Sequence, residues 1–556
     1  MRTCVSAATA AGLLAGALLA APAHGAMPPG PAEIGPATPR AAGPQLMVDA
    51  TAGRHRISPD IYGVNFADEA FAESIDLPVD RWGGDSTETY NWKIRGTNEG
   101  RNWYFENFPD CWTADFGYCD TGHDYSAVDD LIETDARVGA STLLTLPAAG
   151  WVAKAVSYEQ DQLCSYPASV FDPQDDHDPY HPVCGNGKRG GSWISSPAVD
   201  PTRAGVPAGA GWAGDWVTDL VSRYGTAADG GVAIYEIGNE PGLWNDTHHD
   251  FHPQPLTYDE LWSTSRGIAT AVKDADPSAA VLGPSEWGWP NYFCSTADQP
   301  DNGCTPQSPD RAAHGGTDIS SWYLQQFAKR EQQTGTRLLD YFDLHYYPQG
   351  TYAPVTDVTR SLWDPTYRDP SWIDARIDLL PRMRTWVRSS YPGTKLSLGE
   401  YNLGLDVTDD VRLQNIIQAD ALGIFGREGL DLAAFWPEDR SPVPTAAFEM
   451  FRSYDGRHHA FGDRGVSATS TAQTTMSVYA ARRGASGPLT VMVVNKSDGA
   501  LRSTLTLRHF PHHRTAAAYR YAGGDIAPLD PFRVGRTGVT ATYPGRSVTL
   551  IAIRPR

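Results

Sequence analysis

Eight short apolar runs recur between residues 61 and 437, each closing on Gly, Pro, Asn or an aromatic. They are IYGVNF (61–66), VDRWGG (79–84), STLLTLP (141–147), VAIYEIGNE (232–240), AVLGPSEW (280–287), YFDLHYYP (341–348), KLSLGEYN (395–402) and LDLAAFWP (430–437). Continuous rather than alternating apolarity marks strands buried on both faces, the condition of a parallel sheet. Amphipathic stretches separate several of them, among them SAVDDLIETDARVG, AGDWVTDLVSRYG, TYDELWSTSRGIATAVKDADP and VRLQNIIQADALGIFGREG. Eight strand-helix repeats close on themselves, so the reading is α/β, a (β/α)8 TIM barrel over residues 59–440. Long insertions follow the second, third and fifth runs at strand C-termini, the face where such a barrel builds its site.

From residue 441 the pattern shifts to alternating segments such as TTMSVYAARR, GPLTVMVVNKS, LRSTLTLRHF, AAAYRYAGG and RSVTLIAIRP. Period-two alternation between turn residues predicts a smaller antiparallel β-sandwich. QLMVDATAGRHRI (45–57) has the same character and is expected to join that sheet, which makes the second domain discontinuous, 45–58 plus 441–556. Upstream, residues 1–26 have the form of a signal peptide, with Arg2, an apolar Ala/Leu/Gly run and an Ala21-Pro22-Ala23 cleavage site. Residues 27–44 are rich in Pro and Ala and read as a linker. The chain is therefore expected to be secreted and extracellular. Six cysteines remain after the signal, and local closure favours the pairs 111–119, 164–184 and 294–304.

Composition narrows the partners. The charge of −21, without a basic stripe, argues against nucleic acid, and no stretch after the signal is long and apolar enough for a membrane span. The 17 Trp and 25 Tyr exceed what a core needs, and flat amphipathic rings suit stacking on sugar faces. A polysaccharide is the expected partner, met by a monomer.

Two motifs end the fourth and seventh runs: Ile237-Gly238-Asn239-Glu240-Pro241 and Leu398-Gly399-Glu400-Tyr401-Asn402. Each puts a carboxylate at a strand C-terminus, and strands four and seven face one another across the mouth, so both can act on one glycosidic bond. In that reading Glu240 protonates the leaving oxygen, Glu400 attacks the anomeric carbon, and Asn239 holds the sugar 2-hydroxyl. Singly, either glutamate could instead cap the following helix or pair with an Arg; their joint placement argues for chemistry. The separation of about 5 to 5.5 Å that distinguishes retention from inversion is not readable from sequence.

The sequence here resembles glycoside hydrolase family 44, endo-β-1,4-glucanases and xyloglucanases. The resemblance rests on DRWGGDSTETYNW (80–92), NWYFENF (102–108), IGNEPGLWNDTHHDFHPQPLTYDEL (237–261), DLHYYPQ (343–349), LGEYNLG (398–404) and Phe435-Trp436-Pro437. It implies a retaining mechanism with Glu240 as acid/base and Glu400 as nucleophile. It also implies substrates such as xyloglucan, soluble cellulose or mixed-linkage glucan. Two residues depart from the expected pattern. Glu236 stands four before Glu240 and is expected to be a paired carboxylate inside the barrel, and Asp85 occupies an expected Asn position.

Arg81, ending the second strand, is placed to keep Glu400 ionised, and His345 and Tyr347, at alternate positions of the sixth, to orient the two carboxylates. Trp92, Trp103, Trp244, Trp287, Trp289 and Trp436 sit at or after strand C-termini and are candidate stacking rings. The mechanism needs no cofactor. Asp175, Asp176, His177 and Asp178 form an acidic run suited to a hard cation, and the resemblance implies a structural Ca2+ without naming its ligands. His248, His249, Asp250 and His252 lack the helical spacing of a catalytic metal site. The same barrel plan serves xylanases and arabinofuranosidases, and a non-catalytic carbohydrate-binding protein is the rival from another class.

Overall fold

The computed structural model describes residues 41–110, 126–156, 163–298, 303–484, 487–510, 514–535 and 538–554. The signal, most of the linker and the Cys111–Cys119 pair lie outside the described residues. Eight parallel strands close a barrel: β1 (Gly63–Asn65), β2 (Val79–Trp82), β3 (Ser141–Leu146), β4 (Ile234–Ile237), β5 (Ala280–Glu286), β6 (Tyr341–Tyr346), β7 (Lys395–Tyr401) and β8 (Leu432–Phe435). Each is followed by a helix: α1 (Glu69–Ile75), α2 (Ala127–Val138), α3 (Ala210–Tyr224), α4 (Tyr258–Ala275), α5 (Ile319–Thr334), α6 (Leu379–Ser390), α7 (Val411–Glu428) and α8 (Thr445–Arg452). Side-chain caps start several of them. Ser126 accepts from Asp129 N at α2, Thr257 from Glu260 N at α4, and Asp410 from Arg412 N and Leu413 N at α7. Gly139 and Gly429 end α2 and α7 in the left-handed region.

The barrel interior is layered. Val79, Leu143, Ile234, Leu282, Tyr341 and Leu432 form a small apolar plug, distinct from the large cluster between strands and helices. Successive inward positions on a strand are two residues apart, so the next layer holds Arg81, Thr145, Glu236 and Asp343. That layer is charged and buried. Above it the strand ends form the site.

α8 corrects the expected boundary at residue 441. Its Phe448 packs edge-on against Phe71 of α1 and Phe435 of β8, so it completes the barrel's eighth repeat. The two-sheet region follows, one sheet of five strands and one of seven. Leu46–Asp49 enters the first sheet and His55–Arg56 the second. Pairing is antiparallel except that Leu46–Asp49 and Ala41–Ala42 run parallel to Leu501–Arg508. No hairpin constrains that pairing, because the whole barrel lies between the partners in sequence. Leu46, Val48, Val478, Val491, Leu505 and Ile551 belong to the core between the sheets. One buried ion pair ties the two parts together: Lys496 Nζ donates to Asp420 of α7 at 2.8 Å, and Ser477, Tyr479 and Thr359 hydroxyls donate to the same carboxylate.

Candidate active site

A cleft of about 1060 Å³ crosses the C-terminal ends of the strands, with Glu240 and Glu400 in its lining. Local backbone chemistry aims both glutamates. After β4, Gly238 (φ 64°) and Glu240 (φ 48°) take left-handed conformations, and Glu240 is held there by its N–H donating to Ser285 O and its carbonyl accepting from Leu243 N. A side chain at Gly238 would meet Glu88 and Ala148. A non-glycine residue in that region is strained, which is tolerated where function needs the side chain placed. Glu400 is aimed by a bulge. Asp343 pairs with Ser397, but His345 pairs with Glu400, so an extra residue of β7 is absorbed at this point. Without it strict alternation would send Glu400 outward with Leu398.

Arg81 is the hub beneath the pair. It holds Glu236 by two hydrogen bonds, 2.7 and 2.9 Å, and donates to Glu400 Oε1 and Asn65 Oδ1 at 2.8 Å and to Asn239 Oδ1 at 2.9 Å. Burial, the largest single influence, would raise the Glu236 carboxyl, but the charges and hydrogen bonds of Arg81 and His345 together outweigh it and hold it at about 2. Tyr347 Oη donates to Glu400 Oε2 at 2.9 Å. His345 Nδ1 lies 2.8 Å from Glu240 Oε1 and 3.5 Å from Glu400 Oε2. Burial opposes charge on His345, yet Glu400, Glu236 and Glu240 push its pKa well above the ordinary value. Burial also dominates Glu240, raising it to about 7 against the His345 hydrogen bond. One carboxyl is therefore set to hold a proton while the other accepts two donors.

Of the expected site residues, Arg81, Asn239, Glu240, His345, Tyr347 and Glu400 converge. Trp436 lines the cleft, its indole donating to Glu438, and a side chain at Gly84 (φ 97°) would strike its ring. Trp103, Trp287 and Trp289 also line it. Trp92 and Trp244 are placed elsewhere, a correction to the stacking expectation. Trp92 packs against Trp212 of α3, and Trp244 is buried with its indole donating to Asn239 O, where it supports the motif from below. Sequence reasoning missed Trp372, 48% exposed and stacked on Trp287 at 6.1 Å, and Tyr180, stacked on Trp103 at 6.2 Å. It also missed Glu88, whose carboxylate accepts from Asn239 N, Ala148 N and Ala149 N, and Glu286, which accepts from Gly242 N and Trp287 N. Asp85 accepts from Asn239 Nδ2 and Asn102 Nδ2, so the departing residue fixes the amide orientation of Asn239.

The acidic run 175–178 does not converge on one point. Asp175 accepts from Gly190 N and Gly191 N, Asp176 from Tyr104 Oη, and His177 pairs with Asp172. Asp178 turns away, toward Glu106 and His181. His249 stacks on Trp193, Asp250 accepts from Ser165, and His252 pairs with Glu260, so these do not gather round an ion either. Cys164–Cys184 and Cys294–Cys304 are bonded as local closure implied.

An eight-stranded parallel barrel that brings glutamates from β4 and β7 together over a charged layer has the frame of a glycoside hydrolase. The profile of glycoside hydrolase family 44 matches residues 96–350. The solved structure of a bifunctional glucanase-xylanase from a metagenome library is 35% identical, with 93% of this chain and 100% of that one covered and a TM-score of 0.85. This chain belongs to glycoside hydrolase family 44. A Paenibacillus polymyxa xyloglucanase of the same family is 26% identical, covering 93% and 100% of the two chains, at a TM-score of 0.76. Endoglucanase A of Paenibacillus lautus is 29% identical over 486 residues, 83% of this chain. The chain spans 65% of that relative's length.

Proposed function

We propose that this chain is a secreted endo-β-1,4-glucanase that cleaves internal bonds of a β-glucan, such as xyloglucan, with retention of anomeric configuration. The observation that carries it is the convergence of Glu240 and Glu400 on one imidazole nitrogen, with an oxygen of each and His345 Nδ1 all within 4.8 Å of one another. That closeness favours the retaining spacing of about 5 to 5.5 Å over the wider gap an intervening water needs. In the first step Glu400 attacks the anomeric carbon and the proton of Glu240 passes to the departing glycosidic oxygen. In the second, Glu240 as carboxylate takes a proton from water, which attacks the glycosyl-enzyme and frees Glu400. Arg81 and Tyr347 hold the nucleophile's two oxygens apart in orientation, and His345 positions the acid. Asn239, its amide oxygen held by Arg81, presents its NH2 toward Asp85 and the 2-hydroxyl. No step draws on a cofactor.

The glucan class is supported by the cleft, its aromatic walls and the similarity to an endoglucanase and a xyloglucanase. Export is supported by the bonded cysteines and by the signal-like start of the sequence; no helix among the described residues is long and apolar enough to cross a membrane. Reducing-end release from xyloglucan, carboxymethyl cellulose, mixed-linkage glucan and xylan, for wild type and Glu400→Gln, tests the reading. Rapid mid-chain cutting of a glucan should fall by about 10⁴-fold or more in the variant. Activity on xylan alone would overturn the substrate, and binding without cleavage would overturn the enzyme.

A further inference from the structure

A second cluster of ligating groups stands in the cleft wall, outside the catalytic pair. Glu106 precedes the short strand Asn107–Pro109, and Asp178 and His181 come from the β3–α3 loop. His181 Nδ1 is 2.9 Å from Asp178 Oδ2 and 3.2 Å from Glu106 Oε2, and all three offer a ligand atom within 4.8 Å. Glu106 and Asp178 are fully buried, and no donor from outside the cluster meets either oxygen of Glu106, whose neighbours are the Asp178 carboxyl and the His181 ring. Among the described residues no Lys or Arg makes an ion pair with either carboxylate. Two adjoining buried carboxylates beside one neutralisable imidazole lack positive charge, and burial of this kind is costly unless something supplies it. Burial drives the Glu106 carboxyl up to about 10, so a shared proton is the alternative filling.

The donor set decides what would fit. Ca2+ favours six to eight oxygens, whereas one imidazole nitrogen with two carboxylate oxygens and a free position suits a smaller borderline ion. Outer contacts already orient the ligands. Tyr180 N donates to Asp178 Oδ1 at 2.8 Å and Trp103 Nε1 to Asp178 Oδ2 at 3.3 Å. Glu106 itself is bridged by backbone pairing to Cys164, whose disulfide to Cys184 closes the same loop.

We propose that Glu106, Asp178 and His181 bind one divalent transition-metal ion of the zinc type, which pins the loop carrying Tyr180 to the segment carrying Trp103. The ion would fix the Trp103–Tyr180 wall of the cleft and takes no part in bond cleavage.

The test uses the full chain, stripped with a chelator and titrated calorimetrically with ZnCl2, MnCl2 or CaCl2, beside Glu106→Gln and His181→Ala. One Zn2+ per chain is expected, bound at least about tenfold more tightly than Ca2+ and weakened about 100-fold in either variant. Saturating Zn2+ should raise the wild-type Tm by a few degrees and leave that of Glu106→Gln unmoved. Co2+ should give the visible absorption of a low-coordinate site in wild type, a reading that stands even if a variant fails to fold. Absence of stoichiometric metal, with no Co2+ band, would overturn the proposal in favour of a shared proton. So would Ca2+ displacing Zn2+, or Zn2+ binding unchanged in both variants.

Discussion

Within the barrel, the layer above the apolar plug holds Arg81, Glu236, Thr145 and Asp343: Arg81 and the Thr145 hydroxyl donate to Glu236, and Gly399 N donates to Asp343 Oδ1. Between the sheets of the sandwich, Leu46, Val478, Val491, Leu505 and Ile551 meet as hydrocarbon. Both regions are buried strand surfaces, yet they spend that burial differently. The sandwich gains stability roughly in proportion to apolar area removed from water. The barrel layer instead gains orientation. Arg81 reaches five acceptor oxygens on four residues, and so carries the position of Glu236 through to Glu400 and Asn239. The contrast teaches that the barrel's interior is support for the site, and the sandwich's interior is support for the fold.

That contrast can be broken first at Arg81. Arg81→Met leaves the Glu236 carboxylate buried without its partner, a change that costs about 3–5 kcal/mol, and it removes the donor to Glu400. Turnover per folded molecule should fall at least about 10²-fold alongside the loss in urea unfolding. Retention of near-normal kcat would show that the layer is mere packing. Leu505→Ala in the sandwich should cost about 2–5 kcal/mol in the same unfolding assay while kcat stays unchanged. A drop in kcat there would mean the two regions are not separable.

Titration sharpens the comparison further. Glu240 is raised by burial to about 7, and in the proposed role of acid it must hold its proton, so kcat/KM should fall about tenfold per unit as pH rises beyond that value. Glu236 behaves oppositely. Its folded value is depressed to about 2 from 4.5, so its contribution to stability is complete above the unfolded value and is lost as pH falls from there through about 2. The pH profile of activity and the acid limb of unfolding, measured together, separate the two carboxylates. The smallest effect is expected at Trp372→Ala, which removes an exposed ring stacked on Trp287. KM for the polymer should rise about 2- to 10-fold with kcat unaltered.

Much of this architecture was legible in the residues. All eight barrel strands fall within the eight apolar runs, because strands buried on both faces have no polar face to disguise them. Glu240 and Glu400 were legible from position at strand ends, and Glu236 from its parity on β4. What escaped was set by local geometry or by long-range meeting. The bulge that turns Glu400 inward leaves no periodic mark. Trp92 and Trp244 share their strand-end position with rings that do face the cleft, and only the packing of Trp212 and the acceptor at Asn239 O separates them. Trp372 lies in the β6–α6 connection, which composition did not distinguish from an ordinary loop. Helix α8 was read into the sandwich because its eight residues are too few for a clear helical period.

The parallel pairing of Leu46–Asp49 with Leu501–Arg508 has a consequence in time. Closing so long a stretch of chain costs little more at equilibrium than closing a shorter one, since the penalty grows only with the logarithm of length. During synthesis the position is different. The leading strand emerges before any of the barrel, and the strand it must sit beside emerges after all of it. Until then the outer face of α7 also waits, with Asp420 lacking Lys496. The sandwich is thus the last part of the molecule that can assemble, and its closure marks the moment at which the barrel's seventh helix is finally covered.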